Sequence, residues 1–191
     1  MMALTLSKNL SATMLVLTSF HSFNKLPPYF YYARAAFKLY MVCGCLLIFD
    51  GIGGYSEIKD AAQTVWLWSY CLGLPLLSAE ICITADFLPE FRNVHLIVPI
   101  YTVLCYHFSP SYIDPYLLGF SHIYSLSCIT LLSVTTENVA CIALALVYYF
   151  AQFRLSPYGE SDPSYIETWC FVMSIANLFA LQLLKRFRWT D

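Results

Sequence analysis

Charge is what this chain has least of. Only 12% of its 191 residues are Asp, Glu, Lys or Arg, about half of the ~25% usual in a soluble domain. The net charge is −2 and no basic run occurs, which argues against nucleic acid as a partner. The common catalytic motifs are missing as well: there is no G-x-S-x-G, no H-E-x-x-H, no phosphate-binding glycine loop and no pair of Asp-rich prenyl-diphosphate segments. Internal repeats, low-complexity tracts and interdomain linkers are absent too, so a single integral domain over residues 1–191 accommodates the chain.

What the chain does have is apolar length. It is 59% hydrophobic and 17% aromatic, with a mean hydropathy of +0.63, and its charges sit in short clusters between apolar runs. Since ~20 apolar residues cross the ~30 Å hydrocarbon core, the pattern predicts an all-α, polytopic transmembrane helical bundle of about six to seven spans. Six segments stand out: Ala35–Asp50, Thr64–Phe87, Val94–Phe108, Pro115–Val134, Asn138–Phe153 and Ser164–Leu184. Leu10–Phe23 is short and rich in Ser and Thr, and reads as a marginal first span or an interfacial helix ended by Pro27-Pro28. Residues 1–34 thus precede a helical bundle over 35–186, with Pro- and Gly-containing breaks at LPEFRN, FSPSYIDP and RLSPYGESDPS.

Basic residues orient the bundle. Lys25, Arg34, Lys38 and Arg92 share a side with Lys185, Arg186 and Arg188, whereas the other side holds only Lys59 and Arg154. The positive-inside rule then places the C-terminus in the cytosol and the segments 51–63 and 154–163 on the lumenal face. The expectation is a multi-pass protein of the endoplasmic reticulum or another endomembrane, with the lipid bilayer and a lipophilic small molecule as partners. A lumenal N-terminus would expose the sequon Asn9-Leu10-Ser11.

Polar residues inside apolar segments are costly and normally face the bundle interior. Glu80 lies deep in its span, and a buried carboxylate is a catalytic candidate on that ground. Asp86, six residues on, falls about 240° around the helix from it, at the interface. His107 and His122 lie near the ends of consecutive spans joined by FSPSYIDP, and are expected to approach the same membrane surface. Asn177 is deep in the last span, where interhelical hydrogen bonding is the usual role. The eight cysteines nearly all fall in apolar segments and read as small hydrophobes. Cys43-x-Cys45 lacks the two-residue gap of a structural zinc pair and no Cys or His pair follows at ligand spacing, so no metal site is expected.

One charged, glycine-rich stretch interrupts the apolar pattern: FDGIGGYSEIKD, Phe49 to Asp60. Read outward from it, Arg34-Ala-Ala-Phe-Lys-Leu through Leu46-Leu47-Ile48-Phe49-Asp50-Gly51-Ile52-Gly53-Gly54-Tyr55 to Glu57-Ile58-Lys59-Asp60 resembles a segment of fungal wax-synthase-like membrane O-acyltransferases. Pro157-Tyr158-Gly159 through Tyr165 to Trp169 is similar to a second stretch of that family, and Tyr124-Ser125-Leu126 sits at a compatible distance. The resemblance implies transfer of an acetyl or acyl group from acetyl-CoA or acyl-CoA to a lipophilic alcohol such as a terpenoid, in secondary metabolism. Gly51, Gly53, Glu57 and Asn177 would then contact substrate. The family expects an intramembrane histidine as general base, and imidazole titrates near the pH at which such a base works. His107 and His122 are the candidates. The pattern also departs from the family: after Trp169 the chain reads CFVMSIANL, and no histidine follows His122. Two other classes fit the same residues. One is a non-catalytic accessory subunit or small-molecule carrier with Glu80 as a buried polar contact; the other is a membrane terpene cyclase or isomerase with Glu80 as general acid.

Overall fold

The computed structural model describes residues 2–53, 55–87, 89–108, 115–154 and 164–187. Among these residues every regular element is helical: α1 (Met2–Lys25), α2 (Tyr31–Gly53), α3 (Ser56–Thr84), α4 (Pro89–Phe108), α5 (Pro115–Thr136), α6 (Val139–Tyr149) and α7 (Ser164–Phe187), with α6 running into a π-helical turn, Phe150–Arg154. By length and composition α2, α3, α5 and α7 can cross a membrane, whereas α6 is apolar but shorter. The all-helical bundle is as expected, and four of the six to seven expected spans meet both criteria.

The stretch FDGIGGYSEIKD is not a loop. Phe49–Gly53 completes α2 and Ser56–Asp60 begins α3, so of the expected loop over 51–63 only Tyr55 is described as non-helical, and Gly54 lies outside the described residues. Residues 155–163, most of the other expected lumenal loop, also lie outside them.

Helix ends follow local chemistry. Pro89 and Pro115 take the first position of α4 and α5, where a missing N–H costs nothing. α3 and α5 both end through a carboxylate residue in the left-handed region, Asp86 (φ 55°) and Glu137 (φ 49°). The next N–H then reaches back, from Phe87 to Cys82 O at 2.9 Å and from Asn138 to Ser133 O at 3.2 Å, a Schellman-type closure. Asp86 therefore lies just past the end of α3 and does not share that helix with Glu80. Asn138 starts α6 by accepting a hydrogen bond from the Ala140 N–H at 3.0 Å.

The corner between α1 and α2 is capped from elsewhere in the chain. Phe30, just before α2, has no side-chain acceptor for the helix's open N–H groups. Glu80 of α3 supplies one: its Oε2 accepts from the Tyr32 N–H at 2.7 Å and the Ala33 N–H at 3.0 Å. On the other side of the corner, Arg34 Nη1 donates to Phe23 O at 3.0 Å and Leu26 O at 2.7 Å at the end of α1. Its guanidinium also lies 3.9 Å from the centre of the Phe23 ring, an added cation–π contact.

Helix α3 is the hub, packed by α2, α4, α5 and α7, while α1 lies against α2 and α7. Tyr40, Phe37, Tyr148 and Trp169 are fully buried around it, and the Tyr40 and Tyr148 hydroxyls meet at 3.2 Å. A Cβ on Gly73 would come within 1.9 Å of Tyr40 Oη, so glycine is what lets α2 and α3 close up here. Outward faces are apolar, with Ile97, Phe120, Leu131, Val134 and Leu146 exposed. A soluble monomer rarely carries such a surface.

Candidate functional site

The first half of α1, the end of α2 and the first turns of α3 and α7 enclose a cavity of about 410 Å³. Its rim carries Lys8, Asp50 and Lys59, and its wall includes Gln63, Trp66 and Tyr165. Lys8 Nζ pairs with Asp50 Oδ2, with side-chain exposures of 26% and 15%. Among the described residues Lys59 has no acidic partner, so the rim has one cation to spare. A larger groove between α5 and α6 is almost wholly apolar and opens outward; it holds no ionisable group suited to acid–base work.

Trp66 connects the cavity to the interior. Its ring meets Tyr165 edge-on at 5.5 Å, Trp169 edge-on at 5.9 Å and Tyr70 at 5.8 Å. Tyr70 in turn donates its hydroxyl to the backbone carbonyl of Gln152 in the π-helical turn, and its ring meets the His122 ring at 5.1 Å. Along this path several buried polar atoms have no hydrogen-bond partner: Nε1 of Trp66 and Trp169, both side-chain amide atoms of Gln152, and both ring nitrogens of His122. Leaving such a group unpaired costs ~1–3 kcal/mol, and native interiors hold few of them. Of these residues Trp66 lines the cavity, and the others continue inward from it through ring contacts and the Tyr70 hydrogen bond. The π-helical turn that carries Gln152 is itself a feature enriched at functional sites.

The residues singled out in the sequence are placed as follows. Glu80 is buried and its Oε2 is engaged in capping α2. His107 is exposed and meets the Trp68 ring at 5.2 Å, whereas His122 is buried against Tyr70. Trp68 and Tyr70 are two positions apart, about 200° around α3, so the two histidines pack on different sides of that helix and are not a convergent pair. Gly51 and Gly53 belong to the last turn of α2. A Cβ on Gly51 would meet Asn9 Oδ1 at 2.1 Å, so this glycine allows the close approach of α1. Asn9, half-buried, thus lies against the last turn of α2. Glu57 is exposed in the first turn of α3, where a carboxylate suits the helix dipole, and does not line the cavity. Asn177 Nδ2 donates to Ser19 Oγ at 2.9 Å and its carbonyl accepts from Ser22 Oγ at 3.3 Å, joining α7 to α1.

Sequence reasoning missed Trp66, Trp169 and Gln152. Gln152 had a signal, a lone amide inside VYYFAQF; Trp169 closes the second family-like stretch, and Trp66 had no signal beyond its type. It also missed a second cluster. Cys82 of α3, His95 of α4 and Cys128 of α5 are all buried, and their ligating atoms lie within 4.8 Å of one another. No sequence spacing links them.

No family model, curated protein or solved structure matches this chain.

Proposed function

We propose that this is a multi-pass membrane protein that binds a lipophilic small molecule bearing a hydroxyl or carbonyl group, as a carrier or accessory subunit. The observation that carries this reading is the path of unpaired buried polar atoms running from Trp66 to Gln152 and His122 behind the cavity. The carboxylate best placed for acid–base chemistry is used as a helix cap instead. In the proposed topology all seven helices cross, alternating in direction. Lys8, Lys59 and Arg154 then lie at one end and Lys25, Arg34, Lys38, Arg92, Lys185 and Arg186 at the other, which makes the second end cytosolic.

Farnesol, a terpenoid alcohol, is a suitable probe, with tryptophan fluorescence of the detergent-purified protein as the readout. A saturable change is expected, and Trp66→Phe should remove most of it. Gln152→Leu should weaken binding at least tenfold while leaving the empty protein as stable or more so, because it removes an unpaired buried amide. Binding unaffected by either substitution would refute the site.

A second reading, acyl transfer to the same alcohol, is favoured by one observation: His122 has no partner on either nitrogen, so an acceptor is free to take a hydroxyl proton. The unpaired indole N–H groups of Trp66 and Trp169 would then be the candidate donors for an oxyanion. Incubation with acetyl-CoA and farnesol decides between the two. Farnesyl acetate formed by the native protein and lost in His122→Ala supports transfer; bound, unmodified farnesol supports carriage.

A further inference from the structure

We propose that Cys82, His95 and Cys128 form a zinc-binding site that ties α3, α4 and α5 together. The ligand atoms come from three helices and all lie within 4.8 Å of one another, so a contraction of roughly 1 Å brings them to the separations imposed by Zn–S bonds of ~2.3 Å and Zn–N bonds of ~2.0 Å. Two features point to a ligand rather than to packing alone. His95 is 1% exposed, and its Nε2 has no hydrogen-bond partner. Its Nδ1 is 3.0 Å from Ser125 Oγ, the second contact that fixes the ring of a metal-bound histidine and leaves the other nitrogen's lone pair for the metal. The Tyr124 ring, 4.7 Å from the His95 ring, covers the site from α5.

Charge selects the metal. Soft thiolates suit zinc or copper(I). On binding, both thiols lose their protons to solvent. Zinc with two thiolates and a neutral imidazole is uncharged, whereas copper(I) in the same set carries a net −1. An uncompensated charge in a buried, low-dielectric site costs several kcal/mol, so the neutral zinc complex is favoured. Three protein ligands leave a fourth zinc position open, as in catalytic zinc sites.

The test uses the full chain purified in detergent without chelator, with zinc, cobalt(II) and copper(I) as probes. Mass spectrometry of metal content is expected to give about one zinc per chain, and cobalt substitution to give a thiolate-to-cobalt charge-transfer band. Cys82→Ser, Cys128→Ser and His95→Gln should each lower zinc occupancy at least tenfold, while Cys45→Ser, at a cysteine outside the cluster, should leave it unchanged. Ser125→Ala, which removes only the orienting contact, should keep the stoichiometry and weaken zinc affinity about 10- to 100-fold. The cobalt band of the unmutated protein keeps the test decisive should a variant fail to fold. Native protein without zinc and without the cobalt band overturns the proposal. So do stoichiometric binding of copper(I) with exclusion of zinc, and a Cys82–Cys128 disulfide found by thiol titration before and after reduction.

Discussion

Replacing Glu80 separates a capping carboxylate from a catalytic one. Glu80→Ala leaves the buried Ala33 N–H without its acceptor, at ~1–3 kcal/mol, and removes a negative charge from the start of α2, worth ~0.3–1 kcal/mol and up to ~2 when partly buried. The sum is about 1–5 kcal/mol, or a fall in Tm of roughly 3–20 °C for a chain of this size. Glu80→Gln should behave differently. Both N–H groups converge on the single atom Oε2, so one amide oxygen can accept from both, and only the charge–dipole part, at most about 2 kcal/mol, is lost. The assay is thermal unfolding in detergent, followed by reaction of buried cysteines such as Cys71 and Cys170 with a thiol-reactive fluorophore. An Ala variant as stable as the native protein, or a Gln variant as damaged as the Ala one, would refute the capping account. Normal stability with lost turnover in Glu80→Gln would instead restore the carboxylate as a catalytic acid.

Three further outcomes follow from the packing. Arg34→Lys keeps the charge but not the geometry that reaches both Phe23 O and Leu26 O, and should cost about 1–2 kcal/mol in the same unfolding assay. Gly73→Ala drives a methyl into the Tyr40 hydroxyl and should destabilise by ~1–3 kcal/mol, whereas Gly119→Ala, with nothing within 4 Å of the new Cβ, should stabilise by ~0.5–1 kcal/mol; a reversed order would refute the helix contacts assigned to α2 and α3. Glu137→Gly relieves a left-handed residue (φ 49°) at the end of α5 and should raise stability by ~1 kcal/mol, measured as a shift in the unfolding midpoint.

Helix content was readable because hydropathy is a property of a window, and windows around 115–134 and 164–184 land close to α5 and α7. The end of α2 and the start of α3 were not. Glycines and charges in FDGIGGYSEIKD carry loop chemistry, yet Gly51 is needed inside a helix because Asn9 of α1 lies against it, a contact 42 positions away in the chain. Glu80 and Asn177 were legible as buried polar residues, but their partners were not. The Tyr32 and Ala33 N–H groups look like any other backbone groups until the fold brings Glu80 beside them. The Cys82–His95–Cys128 cluster was illegible for the same reason: a spacing rule reads neighbours along the chain, and these three belong to three different helices. His107 and His122 were read as a pair from span order alone, which fixes depth but not the side of α3 on which each ring packs.

The pairing of Lys8 with Asp50 bears on how the chain enters the bilayer. Helix α1 is not among the helices that are long and apolar enough to cross by themselves, and an unpaired Lys or Asp disfavours partition of the helix that carries it. Antiparallel docking of α1 on α2 brings the two charges together near one end, while Arg34 fastens the corner at the other. In the proposed topology the pairing favours entry of α1 and α2 into the bilayer together, as a hairpin. Mutations in α1 would accordingly be read out first as failed biogenesis and degradation, before any loss of ligand binding could be observed.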